Sequence, residues 1–289
     1  MYMEVSSIVE PRTIYAYCPF NLGDHVYNFF LFYHINHILE RENIWVEYRC
    51  REMYHTQLRE FIPSPVRVFI LAYTGEKDDI GVRMHIGNQD LEKHLFNKST
   101  PGFDRYYFTD YYPQILERFK FSTALFAEMM TPPPKFEYKD LDLLLRYENL
   151  PRECKNIDVL IINSSPRSGQ YTPILHPQHR KFWNDYAFYL ASQKGLNVIT
   201  TEKHDTRVKC TADYNLTLKN IGALSTRAKV IIAVNTGPLS PCYNTFTLQN
   251  VRRIYMFHDS ETHCHPKVVQ LRLLNHVHPD EVASLCGGA

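Results

Sequence analysis

The second half of this chain repeats one alternation, and that alternation limits the fold more than any other feature. Short runs of β-branched and other apolar residues recur at Ile157–Asn163, Leu196–Thr201, Ala228–Thr236 and Arg253–Asp259. Helical stretches separate them: "RKFWNDYAFYLASQKG", where Gly195 stands as a C-terminal stop, and "TLKNIGALSTRAK". Apolar runs without polar alternation suit strands buried on both faces, hence a parallel sheet. Strand, helix, strand, helix, strand is the order of a Rossmann-like α/β domain.

The first half carries four more such runs: Thr13–Tyr17, Ile44–Tyr48, Val66–Tyr73 and Val82–Ile86. After the first of them, "GDHVYNFFLFYHINHILERE" reads as one long helix. Three consecutive prolines, Pro132–Pro134, then break the chain, because proline can continue neither a helix nor a central strand. The boundary is expected between Thr131 and Asn156, which gives domains at 1–150 and 151–289. The expected fold is α/β, with two Rossmann-like domains facing an inter-domain cleft. Ligands of open α/β sheets bind at the carboxyl ends of the strands, so the strand ends are where chemistry is sought. Residues Asn88–Met130 are aromatic and irregular in pattern and receive no element order.

Bulk properties narrow the function. A formal net charge of +1 provides no electrostatic footprint for nucleic acid or a polybasic membrane anchor. The seven cysteines show no CxxC spacing, so reduced thiols in a cytoplasmic protein are expected rather than a disulfide framework or zinc ribbon. "MYMEVSSIVEPR" lacks the basic and apolar regions of a signal peptide, and no apolar run is long enough to span a bilayer. Neither a G-x-G-x-x-G nor a P-loop is present.

Several strand ends carry polar groups. After Ala228–Thr236 comes Gly-Pro, so Thr236, Gly237 and the following N–H groups, with Pro238 having none, can cradle phosphate oxygens at a helix start. Taken alone, the plainer reading is a turn using Gly for its dihedrals. After Ile157–Asn163 come Ser164, Ser165 and Arg167, and then Lys181-Phe182-Trp183 at an expected helix start. Hydroxyls and cations near one strand end suit a diphosphate; solvated surface cations are the bland alternative. Glu202, after the Leu196–Thr201 run, can accept hydrogen bonds from a ribose or simply sit in a solvated turn. "HDSETHCHP" (His258–Pro266) gathers three histidines but lacks zinc-ligand spacing. At the end of the first strand stands Gly23-Asp24-His25. Asp24 can cap the next helix or act as a base facing the cleft.

In order and spacing, these segments resemble the lipopolysaccharide heptosyltransferases, glycosyltransferase family nine, of the two-Rossmann-domain GT-B type. The match comprises Gly23-Asp24 opening a helix, Ser164-Ser165 followed by Lys181-Phe182-Trp183, and "LTLKNIGALSTRAKVIIAVNTGPLS". It is clearest over residues 157–259 and covers little of the N-terminal half beyond 13–40. Two positions depart: Asn235 stands where the family has Asp, and Ser240 where it has His, so a donor other than ADP-heptose is expected. The resemblance implies an inverting, metal-independent hexosyl- or pentosyltransferase with no cofactor. A nucleoside-diphosphate sugar would be the donor and a glycan or glycolipid the acceptor, any membrane contact running through that acceptor. Asp24 would be the general base, with His25 orienting it, touching the acceptor or serving as a second candidate base. Ser164, Ser165, Arg167, Lys181, Glu202, Asn235, Thr236, Gly237, Pro238 and Ser240 would form the donor site.

Two other classes stay open. "FNLGD" superficially fits a polysaccharide pyruvyltransferase, although "STRAK" lacks the histidine that family carries near its last strands. A non-catalytic nucleotide- or sugar-binding protein is the third reading.

Overall fold

The computed structural model of the chain describes residues 12–18, 22–34, 36–61, 67–73, 83–86, 138–145, 150–163, 177–203, 206–258, 265–272 and 276–287. The chain divides into two compact α/β units. One comprises Met1–Phe20 and Tyr27–Phe136; the other comprises Asn21–Val26 and Glu137–Ala289.

In the first unit, β1 (Arg12–Cys18), β2 (Ile44–Arg51) and β3 (Val68–Tyr73) run parallel, and β4 (Arg83–Ile86) closes the order β3-β2-β1-β4. Contrary to the expectation of a wholly parallel sheet, β4 pairs antiparallel with β1, Ile14 opposite Ile86. Alternation along β2 sends Val46, Tyr48 and Cys50 into the core. Helix α1 (Leu22–His34) places Phe29 and Phe32 against the Tyr48 ring, with centroids 5.1 and 6.0 Å away. The expected single helix after β1 is two: α2 (Asn36–Arg41) follows α1 and buries Ile38 and Leu39. Helix α3 (Glu52–Arg59) adds Tyr54 and Leu58.

Among the described residues, the second unit holds six parallel strands in the order β10-β9-β8-β5-β6-β7. They are β5 (Ile157–Ile162), β6 (Val198–Thr200), β7 (Lys209–Cys210), β8 (Ala228–Val234), β9 (Arg253–Phe257) and β10 (Val268–Leu271). The sheet grows outward from β5 in one direction, then from β8 in the other, which is the strand order of a Rossmann fold. Strands β7 and β10 add to the four expected runs, since a two-residue edge strand and a half-buried "VVQL" leave little periodic signal.

The central strands are apolar throughout because both faces are covered. Val159, Ile161, Val230 and Ile232 face α4 (Pro177–Ser192) and α7 (Pro279–Cys286), where Trp183 and Val282 lie. Leu160, Ile162, Ile231 and Ala233 face α5 (Leu218–Ser225) and α6 (Thr245–Asn250), where Leu224 and Leu248 lie. Gly195, at φ +65°, turns the chain after α4 and lets the Leu196 N–H reach the Leu190 carbonyl at 3.2 Å. "TLKNIGALSTRAK" is helical only over Leu218–Ser225, because Thr226-Arg227 form the turn into β8. The last carbonyls of α7 accept from Lys229 Nζ (to Cys286, 2.9 Å) and Arg252 (to Leu285, 2.5 Å), cations at the negative end of a helix dipole. Tyr138–Leu144 form a 3₁₀ segment. Among the described residues, no helix is long and apolar enough to cross a membrane.

Candidate functional site

Because the six described strands of the second unit are parallel, their carboxyl ends share one edge. Asn163 follows β5, Thr201 and Glu202 follow β6, Asn235–Gly237 follow β8 and His258 follows β9. Strands β5 and β8 are neighbours, with Ile161 opposite Ile232, and the sheet changes its direction of growth between them. Helix α4, after β5, lies on one face; α6, after β8, lies on the other. A crevice opens at such a switch point, and it is where open α/β sheets bind ligands. Asn163 and the segment 235–237 therefore flank this crevice, although Asn163 and Asn235 are 72 positions apart in sequence.

After β8 the Asn235 N–H extends the ladder to the Phe257 carbonyl, 3.0 Å away. Thr236, extended at φ −130° and ψ 168°, then opens a 3₁₀ segment, Gly237–Tyr243, with Pro238 in its first turn. The expected helix start after Gly-Pro is thus a 3₁₀ turn. It donates the Leu239 N–H back to the Thr236 carbonyl at 2.9 Å. Asn235, Thr236, Gly237 and Pro238 are half-buried, while Ser240 is buried.

A buried polar network holds this segment from behind. Asn244, fully buried, donates to the Pro241 carbonyl at 2.9 Å and caps α6 by accepting from the Thr247 N–H at 2.8 Å. Ser225 donates to the Gly222 carbonyl at 2.6 Å and lies 2.6 Å from the Thr247 hydroxyl. Asp142 accepts from the Thr245 N–H at 2.8 Å and from its hydroxyl. Burial pushes the Cys242 thiol up to about 12, which keeps it protonated.

Residues Gly23, Asp24 and His25 belong to the same compact unit as this segment. A Cβ on Gly237 would come within 2.7 Å of the Gly23 nitrogen and 2.8 Å of the Leu22 Cβ. A Cβ on Gly23 would lie 2.9 Å from Ser240 Oγ. The first turn of α1 and the start of the 3₁₀ segment thus touch backbone to backbone, and glycine is required for the closeness of approach. Helix α1 begins at Leu22, so Asp24 is its third residue. His25 is fully buried.

Lys181 is exposed and is the fifth residue of α4, which starts at Pro177, one turn earlier than expected. Ser164, Ser165 and Arg167 lie outside the described residues, as do 259–264 of the histidine-rich stretch. Among the described residues, no group of three or more His, Cys, Asp or Glu side chains is placed to hold a metal ion.

Sequence reasoning passed over Asn163 and Asn244. The signal for Asn163 was a polar residue ending an otherwise apolar run. It is 3% exposed, and its amide pairs with the main chain of Glu202: Oδ1 accepts from the Glu202 N–H at 2.9 Å and Nδ2 donates to the Glu202 carbonyl at 3.2 Å.

No protein-family model matches the chain, and no curated protein matches it. Solved structures do. The heptosyltransferase WaaC of E. coli with ADP-2-deoxy-2-fluoro heptose is 11% identical with a TM-score of 0.46, over 89% of this chain and 91% of that one. The iron-containing dodecameric glycosyltransferase TibC of enterotoxigenic E. coli H10407 is 10% identical with a TM-score of 0.46, over 90% of this chain and 62% of that one. A glycosyl transferase of family 9 from Veillonella parvula DSM 2008 is 11% identical with a TM-score of 0.39, over 92% of this chain and 87% of that one.

Proposed function

We propose that this chain is a glycosyltransferase of the GT-B type that moves a hexose or pentose from a nucleoside-diphosphate sugar to a hydroxyl of a glycan or glycolipid, with inversion and without a metal. The observation that carries this reading is the packing of Gly23 on Gly237. It sets the turn containing Asp24 beside a strand-end segment suited to phosphate, at the switch-point edge of a Rossmann-ordered sheet. The order of the Gly-Asp, Ser-Ser, Lys-x-Trp and Thr-Gly-Pro motifs supports the same reading.

In this mechanism the acceptor hydroxyl oxygen attacks the anomeric carbon while the bond from that carbon to the diphosphate oxygen breaks. Asp24 takes the hydroxyl proton. Charge growing on the leaving diphosphate is met by Lys181, Arg167, the Ser164 and Ser165 hydroxyls, and the N–H groups around Gly237. Glu202 takes the ribose. Asn235 and Ser240 replace a carboxylate and an imidazole of the heptosyltransferase pattern, which favours a donor other than ADP-heptose. The second unit binds the donor and the first the acceptor.

The test is release of nucleoside diphosphate from UDP-, GDP- and ADP-sugars, in EDTA, with and without an extract of glycan acceptors. Acceptor-dependent release that survives EDTA is expected. Binding without turnover on any acceptor would return the chain to the class of non-catalytic binders. Activity abolished by EDTA and restored by Mn²⁺ would overturn metal independence.

A further inference from the structure

Trp45 on β2 and Phe69 on β3 are exposed apolar side chains that pack on each other at a centroid distance of 6.3 Å. The buried network around Asn244 is accounted for by capping and packing. The amide of Asn163 is different, because it spends its bonding capacity on one turn of the ligand-binding edge.

The ladder between β5 and β6 ends with Ile161 opposite Thr200 and the Thr201 N–H bonded to the Ile161 carbonyl at 3.0 Å. Asn163 continues the pairing with its side chain, satisfying both main-chain groups of Glu202. Its Oδ1 also accepts from the Thr201 hydroxyl at 3.3 Å. From the other side, the Thr211 hydroxyl donates to the Thr201 carbonyl at 3.1 Å, and the Thr200 hydroxyl donates to the Lys209 carbonyl at 3.3 Å. The main chain of residues 200–202 is therefore tied to both neighbouring strands. Only an amide fits the Asn163 position: a carboxylate has no donor for the Glu202 carbonyl, and an alkyl group leaves both main-chain groups without that partner.

A carboxylate on an immobilised backbone is pre-organised, so little ordering cost remains when a ligand arrives. At a strand end, such a group accepts two hydrogen bonds from a vicinal diol. A ligand lacking the diol leaves it desolvated and without that partner, which is how polar sites discriminate. We propose that Asn163 is a positioning residue that makes this edge selective for the ribose diol, by fixing the backbone from which Glu202 reaches the nucleotide. This rests on the nucleoside-diphosphate reading given above.

Calorimetric titration with ADP, GDP and UDP, and with their 2′,3′-dideoxy forms, tests it. The wild-type chain is expected to prefer the ribo form of its nucleotide by about tenfold or more, as for hydrogen bonds to a charged group. Glu202→Ala should bring the two forms to near-equal affinity. Asn163→Ala should do nearly the same with Glu202 intact, and the double variant should go no further. Asn163→Ser, which can replace one of the two bonds to Glu202, serves if Asn163→Ala does not fold. Tyr186→Phe is the control for a purely structural effect: it removes a buried 3.0 Å hydrogen bond to the Val277 carbonyl and should lower Tm with the ribo preference unchanged. An undiminished ribo preference in Asn163→Ala, or in Asn163→Ser where the alanine variant does not fold, overturns the proposal alone. Equal wild-type affinity for the two forms also overturns it and leaves diphosphate binding intact. A wild-type chain that binds no nucleoside diphosphate overturns this proposal together with the reading beneath it.

Discussion

Gly23 and Gly237 pack so closely that a methyl group on Gly237 would sit 2.7 Å from the Gly23 nitrogen. Backbone atoms cannot yield as a side-chain tip can. Gly237→Ala is therefore expected to destabilise the second unit by about 1–3 kcal/mol, the usual cost of overpacking. Gly23→Ala should cost less, because its nearest obstacle at 2.9 Å is the Ser240 hydroxyl and alanine favours the helix by roughly 1 kcal/mol. Adding Ser240→Ala should recover part of the loss. Thermal melts of the three variants check this, and a Gly237→Ala protein as stable as wild type would contradict the packing.

Asp24 is the third residue of α1, so its structural and chemical roles separate cleanly. If it only complements the helix dipole, Asp24→Asn should cost roughly 0.3–1 kcal/mol and leave turnover near normal. As the general base, its loss should lower kcat by about 10²–10⁴-fold with Tm nearly unchanged. Near-normal kcat would remove Asp24 from the chemistry.

Lys181 is exposed and one turn into α4, free to be screened unless a diphosphate engages it. Lys181→Ala should weaken nucleoside diphosphate binding by about 1.5–3 kcal/mol. Equal affinities in a calorimetric titration would take Lys181 out of the site.

The buried thiols impose a pH limit. Burial raises Cys242 from an ordinary 9.0 to about 12, and Cys50 and Cys286 to about 11. A proton held more tightly in the folded chain stabilises it fully below the unfolded value near 9.0, and that stabilisation is lost as pH climbs toward 11–12. The urea midpoint should fall between pH 8 and pH 10.5, and iodoacetamide at pH 8 should leave these three thiols unmodified in the native protein. A midpoint that holds steady or rises would count against this.

The sequence by itself determined the local elements. Continuous apolar runs such as Ile157–Ile162 and Ala228–Val234 must be buried on both faces, so the parallel α/β class and the central strands were legible from hydrophobic pattern alone. Gly195 marked the end of α4 because its positive φ is a local requirement. The tertiary structure alone decided the antiparallel pairing of β4, the breaking of the first long helix in two, and the edge strands β7 and β10. These depend on neighbours distant in sequence, and a two-residue strand has no period to read. The same holds for the site. Thr236 and Gly237 were visible as a strand-end motif, but their contact with Gly23 spans more than two hundred residues. The bond from the Asn163 amide to Glu202 closes only when β5 and β6 lie side by side. Periodicity reports which face of an element is buried; it carries no information on which two strand ends meet, because that choice is made by packing across the sheet.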